Sequence, residues 1–230
     1  MKSKIKMVVF DMAGTTVNED NVVYKTLRKA INEAGVDVDL DQVLAEGAGM
    51  EKKQAIRSVL KSYANMEDEA LTEQIYANFI TDLAAAYSTA DIQPQNGALA
   101  LFSALKERGI LTVLNTGYDG VTARSIIKKI RWHEGVDFDA LVTDSDVSRN
   151  RPNPDMIYLA MNKFGISDST AVVKVGDSAI DIGEGKNAGC GLTIGITTGA
   201  HTMEQLLVAK PDHIINQLMD LLPIIDNFNS

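Results

Sequence analysis

Cysteine is almost absent, with Cys190 the only one in 230 residues. A lone thiol cannot close an intrachain disulfide, so nothing points to an oxidising compartment. Long apolar runs are missing too. After Met1-Lys2-Ser3-Lys4-Ile5-Lys6 the run from Met7 to Phe10 is too short for a signal-peptide core. No window approaches the ~18 apolar residues of a membrane span. The expectation is a cytoplasmic protein with no membrane partner. Basic charge is also in short supply, with 22 Lys and Arg against 31 Asp and Glu. That balance disfavours a nucleic-acid partner, whose phosphate backbone calls for a basic patch. It leaves room for a small anionic substrate, because a metal ion or one lysine reverses the field locally.

Apolar residues make up 45% of the chain, enough for one large α/β domain or a core with a smaller companion. Ile5–Phe10 is short, apolar and β-rich, and it ends at an acidic residue, which predicts a buried strand. Similar runs lie at Ile110–Leu114, Ala140–Val142, Ala171–Val175 and Leu192–Ile196, with a weaker one at His213–Ile215. Helical patterns at Val121–Ile130, Asp155–Phe164, Ser178–Ala188 and Met203–Ala209 alternate with them. Strand alternating with helix predicts a Rossmann-like, doubly wound parallel sheet. From about Glu19 to Tyr87 that rhythm stops. Three helical stretches, Val22–Ala34, Asp41–Ala64 and Glu67–Tyr87, predict an inserted α-helical cap over residues 19–90, with the core formed by 1–18 and 91–230. Gly47-Ala48-Gly49 should bend the second stretch. An apolar helical cap also offers a face for a homodimer.

In an open parallel sheet, ligands bind beyond the carboxyl ends of the strands. The segments there are Asp11-Met12-Ala13-Gly14-Thr15-Thr16, Asn115-Thr116-Gly117-Tyr118, Arg149-Asn150-Arg151-Pro152 and Gly176-Asp177-Ser178-Ala179-Ile180-Asp181. Carboxylates, hydroxyls and a guanidinium would converge on one crevice, and the glycines let backbone N–H groups approach an anion. Taken singly, a strand-end Asp is more often a helix cap, Thr116 a turn hydroxyl and Arg151 a surface ion-pair partner.

Together, in this order, the four segments resemble the haloacid dehalogenase superfamily. The resemblance implies that Asp11 is a nucleophile that attacks phosphorus. Mg²⁺ would be held by Asp11, Asp177 and the backbone carbonyl of Ala13, with Asp181 and Ser178 supporting that centre. Gly14, Thr15, Thr116 and Gly117 would meet the phosphoryl group, and Arg151 would hold the nucleophile and offset negative charge.

Ala13 stands where common phosphatases of the superfamily carry a second Asp, the general acid to the leaving group. A methyl cannot donate a proton, and general acid–base catalysis contributes roughly 10²–10⁴-fold. The substrate must have an intrinsically good leaving group or receive help from elsewhere. Asp-x-Ala-Gly-Thr-Thr with a later Thr-Gly-Tyr is similar to phosphonoacetaldehyde hydrolases (phosphonatases). In that family a cap lysine forms a Schiff base with the aldehyde, and the carbon leaves as an enamine. Lys52 meets the family's spacing from Gly49 and to Arg57, and Lys53 is the adjacent alternative. Lys53 and Arg57 would supply the positive field that lowers a lysine pKa, with Glu51 opposing. Ala55 stands where the family has a histidine.

His133 and His201 read as surface-loop residues and His213 as a strand residue. Met12 and Met50 are candidate apolar contacts in the pocket, with Tyr118 beside the substrate. The expected function is Mg²⁺-dependent hydrolysis of a small organophosphonate through an aspartyl phosphate. The alternatives are hydrolysis of a small phosphate ester or acyl phosphate, with Lys52 binding charge only, and a catalytically weak phosphate-sensing protein.

Overall fold

A computed structural model describes residues 3–230. Met1 and Lys2, the start of the segment expected not to be a leader, lie outside the described residues. Strand β1 (Met7–Phe10) is followed by a two-residue strand β2 (Val17–Asn18) and four helices: α1 (Val22–Glu33), α2 (Leu40–Gly47), α3 (Lys52–Ala64) and α4 (Glu69–Thr89). Strand β3 (Gln93–Pro94) then pairs antiparallel with β2, so the chain leaves and re-enters the core through one short ribbon. The remainder alternates: α5 (Ala98–Glu107), β4 (Leu111–Thr116), α6 (Gly120–Lys129), β5 (Ala140–Thr143), α7 (Asp155–Lys163), β6 (Val172–Gly176), α8 (Ala179–Ala188), β7 (Leu192–Ile196), α9 (Met203–Val208) and β8 (His213–Ile215). Helix α10 (Leu221–Asn229), beyond the elements expected above, closes the chain.

The six long strands form one parallel sheet in the order β5-β4-β1-β6-β7-β8. Side chains alternate across a strand, so a parallel sheet covered on both faces needs apolar residues on both. β1 shows this: Val8 and Phe10 join one apolar cluster, whereas Met7 and Val9 join the other, with Met156, Ile157 and Ala160 of α7. The first cluster continues into the cap, through Leu27, Ile56 and Phe79. No described helix is long and apolar enough to cross a membrane.

The expected helix Asp41–Ala64 is two helices, because Gly49 adopts φ +76° between them. A Cβ on Gly49 would stand 2.3 Å from Ser178 Oγ. The bend thus brings the cap backbone onto the loop that follows β6, and only a glycine fits there. Helix α3 restarts at Glu51, whose carboxylate accepts the N–H groups of Lys53 and Gln54, the usual way to satisfy free donors at a helix start. That cap fixes the position of Lys52 on the first turn.

Candidate active site

Asp11 directly follows β1, and its N–H donates to the Val175 carbonyl of the neighbouring strand at 2.9 Å. The chain then folds back tightly, with the N–H groups of Thr15, Thr16 and Val17 all donating to the Met12 carbonyl. Gly14 has φ +79°, and a Cβ there would be 2.2 Å from Asp177 Oδ2. A Cβ on Gly199 would be 1.8 Å from the same oxygen. Two glycines therefore wall in the Asp177 carboxylate, which the Ala200 N–H also holds.

Carboxylate oxygens of Asp11, Asp177 and Asp181 all lie within 4.8 Å of one another, and all three residues are buried. Burial and the Asp181 charge push Asp11 up to about 6, although Arg151 and Lys174 oppose this. Asp177 is driven well above the usual carboxylate range, by burial and then by Asp11. Asp181 goes the other way, to about 2: burial would raise it, but Lys174 and Arg151 outweigh that cost. Arg151 Nη1 bridges Asp11, at 2.9 Å, to Asp181. Asp181 also accepts from Lys174 Nζ and Ser178 Oγ, so its oxygens are committed within the protein. Asp11 and Asp177 are the crowded pair with raised pKa. A hard divalent cation satisfies such a set of oxygen donors and favours their ionised forms. The donor set therefore fits a divalent metal ion.

Thr116 ends β4, next to Thr143 of β5. Its hydroxyl accepts the Tyr118 N–H at 3.2 Å. A Cβ on Gly117 would stand 3.0 Å from the Met50 carbonyl, so the cap loop lies directly over this turn. Thr15 Oγ1 and Arg151 Nε are buried with no hydrogen-bond partner among the described residues. Buried polar atoms are nearly always satisfied, and both belong to segments expected to meet an anion. Met50 lines a cavity of about 310 Å³ with Glu51, Gln54, Asn150 and Arg151. Met12 does not face the pocket: it is fully buried in the apolar core.

Lys52 is buried, and Nζ donates to the Met50 carbonyl at 2.8 Å. It lies over the rings of Tyr24 and Tyr118, at 5.3 and 5.5 Å from their centroids. Burial, then the positive charge of Arg151, lowers it to about 8, with Asp11 and Glu51 opposing. The positive field therefore comes from Arg151. Lys53 and Arg57, expected above to supply it, face outward and pair with Glu73 and Glu69. Ala55 is fully buried, and a Cβ on Gly47 would stand 3.0 Å from its methyl, so a larger side chain at 55 would meet α2.

Several residues here carry no sequence motif. Lys174 is completely buried and bonds Asp181, Glu184 and Asn115 Oδ1, while Asn115 Nδ2 donates to Glu184. A lysine inside the apolar run Ala171–Val175 was the available signal. Lys174→Met is expected to leave the buried Glu184 with no cationic partner and Asp181 with Arg151 alone, at a cost of roughly 3–5 kcal/mol. Thermal denaturation should show this as a midpoint drop of about 10 °C. His201 corrects the surface-loop expectation. It is buried, with Nδ1 accepting the Ala179 N–H and Nε2 facing the Leu44 carbonyl of the cap. His133 is exposed beside Asp137, and His213 sits on β8 as expected. Glu19 and Tyr87, discussed below, were also not anticipated.

Comparison with known proteins agrees with this geometry. The haloacid dehalogenase-like hydrolase family model matches residues 8–194. The phosphonoacetaldehyde hydrolase of Latilactobacillus sakei subsp. sakei (strain 23K) is 32% identical over 203 residues, covering 84% of this chain and 75% of that protein. The phosphonoacetaldehyde hydrolase of Bordetella pertussis is 27% identical over 259 residues, covering 96% of this chain and 91% of that protein. The crystal structure of a phosphonoacetaldehyde hydrolase-like protein from Oleispira antarctica superposes with a TM-score of 0.85 at 21% identity, over 99% of this chain and 94% of that one. A strand-end aspartate beside a second carboxylate at the end of the adjacent parallel strand, with a family match over most of the length, leads to one assignment: this chain is an enzyme of the haloacid dehalogenase-like hydrolase family.

Proposed function

We propose that this enzyme hydrolyses a small organophosphonate aldehyde, with phosphonoacetaldehyde as the reference substrate, through an aspartyl phosphate on Asp11. The observation that carries this reading is Lys52. Its amine is buried against two aromatic rings, it makes no salt bridge among the described residues, and it is lowered to about 8. A lysine that only anchored an anion would gain nothing from a lowered pKa, whereas a Schiff-base amine must be neutral to attack a carbonyl.

In this reading the core (residues 1–18 and 91–230) takes the phosphoryl group and the cap (residues 19–90) takes the aldehyde. Lys52 Nζ condenses with the aldehyde, water leaves, and the imine nitrogen takes up a proton from solvent to become an iminium, a proton that the later hydrolysis of the aspartyl phosphate gives back. The Asp11 carboxylate attacks phosphorus and the P–C bond breaks. Its electron pair moves into the iminium to give an enamine, which supplies the leaving-group assistance that Ala13 cannot. Water then hydrolyses the aspartyl phosphate. The carboxylates of Asp11 and Asp177, with the Ala13 carbonyl, would hold Mg²⁺, which when bound offsets the charge between an anionic nucleophile and an anionic substrate. Arg151 orients Asp11, and Asp181 and Ser178 support it from behind. Thr15, Thr116, Gly14 and Gly117 would surround the phosphoryl oxygens.

A second reading is favoured by Ala55, which leaves no imidazole beside Lys52. Lys52 would then bind charge, and the substrate would be a small phosphate ester or acyl phosphate. Incubation with phosphonoacetaldehyde, Mg²⁺ and borohydride separates the two. The expected result is irreversible inactivation, with the reduced adduct mapped to Lys52 by peptide mass spectrometry. Unmodified Lys52, with phosphate released from an ester panel, would establish the second reading instead.

A further inference from the structure

The Schiff-base reading leaves one chemical task without a residue. After the P–C bond breaks, the enamine carbon needs a proton, and Ala55 cannot provide it. His201 is not available, because both of its ring nitrogens face backbone partners. A different chain of groups reaches the site. Glu19 follows β2 and is only 2% exposed. Its Oε2 accepts from the Val23 N–H at 3.0 Å and is 3.2 Å from the Tyr87 hydroxyl, which donates to the carboxylate and accepts from the carboxylic acid. The Tyr87 hydroxyl is 2.7 Å from that of Tyr118, and Tyr118 is the residue whose ring lies beneath Lys52 Nζ. A carboxyl from the start of the cap, a phenol from its last helix and a phenol from the core thus form one hydrogen-bonded line that ends at Tyr118, whose ring centroid is 5.5 Å from Lys52 Nζ.

We propose that Glu19 is the proton reservoir of this active site, delivering to the enamine carbon through Tyr87 and Tyr118. The proposal rests on the Schiff-base reading above. The Tyr118 hydroxyl gives its proton to the carbon, Tyr87 refills Tyr118, and the Glu19 carboxyl refills Tyr87 and is left as carboxylate. Water then adds to the resulting iminium, acetaldehyde leaves, and Lys52 remains as an ammonium. The ammonium gives its extra proton to solvent and Glu19 takes one up, so the neutral amine and the carboxylic acid are both restored. No proton is gained or lost over these steps. Glu19 never touches substrate; it is a positioning residue that acts through Tyr118.

The surroundings suit the role. Burial raises Glu19 to about 7, opposed by the Val23 N–H, the Tyr87 hydroxyl and the Lys52 charge, and reinforced by Asp20. Tyr87, Tyr118 and Tyr24, which also face this region, are held far above the usual phenol range by burial first of all, so they stay protonated and relay without ionising. The donor form of Glu19 exists below about 7, so the carbon-protonation step slows as pH rises through that value.

The test is a single-turnover experiment on the full-length protein with phosphonoacetaldehyde and Mg²⁺, following phosphate and acetaldehyde separately in wild type, Glu19→Gln and Tyr87→Phe. The wild type should release both products in step. Both variants should release phosphate at close to the wild-type rate while acetaldehyde lags at least about tenfold, and in Glu19→Gln the decline above pH 7 should vanish. Products in step in Tyr87→Phe, or an unchanged pH profile in Glu19→Gln, would overturn the relay. Tyr87→Phe removes only a hydroxyl and decides the matter even where Glu19→Gln folds poorly. Borohydride trapping in the same samples separates the two levels. Lys52 adducts with products in step reject the relay alone, whereas no adduct in wild type rejects the Schiff-base reading and the relay with it.

Discussion

Asp11→Asn should reduce phosphate release from any substrate by roughly 10⁴-fold or more, the scale of loss seen when an enzyme's covalent nucleophile is removed. An amide oxygen is a poor nucleophile and cannot form an aspartyl phosphate. The fold should survive. Arg151 keeps its bond to Asp181, and an asparagine oxygen can still accept from Nη1 in place of the Asp11 carboxylate. Three carboxylates whose oxygens lie within 4.8 Å become two, so mutual repulsion falls and the metal-free protein should melt no lower than wild type. Phosphate release and thermal denaturation with and without Mg²⁺ measure both halves. Retained turnover would reject Asp11 as the nucleophile. Lost turnover together with a collapsed melting temperature would instead place its role in the fold.

Lys52→Arg should lower kcat/KM for phosphonoacetaldehyde by roughly 10³-fold, the size of effect expected when leaving-group assistance is lost. Arginine keeps the positive charge but is not deprotonated in proteins and cannot form an imine. A charge anchor would tolerate the change; a Schiff-base amine would not. The pH dependence adds a second check. Lys52 is lowered to about 8, first by burial and then by Arg151, so it is an unreactive ammonium below that value and a nucleophile above it. The rate of imine trapping should rise with pH through about 8 and then level off. Equal phosphonate turnover by Lys52→Arg and wild type would exclude the covalent role and leave the ester reading.

The elements of the core were readable because each depends on local pattern. Apolar runs of three to six residues give parallel strands, and the polar clusters that follow several of them put the chemistry at one end. Asp11, Thr116, Arg151 and Asp177 could be picked out because each sits in a short contiguous motif beside such a strand. Lys52 was singled out by its match to the spacing of the family's cap motif. Other features were hidden because they depend on pairs far apart in sequence. Arg151, ninety-nine positions from Lys52 in the chain, is the cation that lowers it, while the adjacent Lys53 and nearby Arg57 turn outward to surface carboxylates. A helix rotates successive side chains by about 100°, so neighbours in sequence need not share a field. His201 looked like a loop residue because its partners, Leu44 and Ala179, belong to other segments.

By itself, then, the chain's order of residues determined a parallel α/β core with a helical insertion and the carboxylates, hydroxyl, guanidinium and lysine available for phosphoryl chemistry, since those follow from periodicity and short motifs. Only the tertiary structure decided which charges act on one another: that the Arg151 charge lowers Lys52, that Lys174 holds Asp181 and Glu184, and that Glu19 reaches Tyr118 through Tyr87. Electrostatic coupling depends on distance and burial in space, and neither quantity is a property of position along the chain.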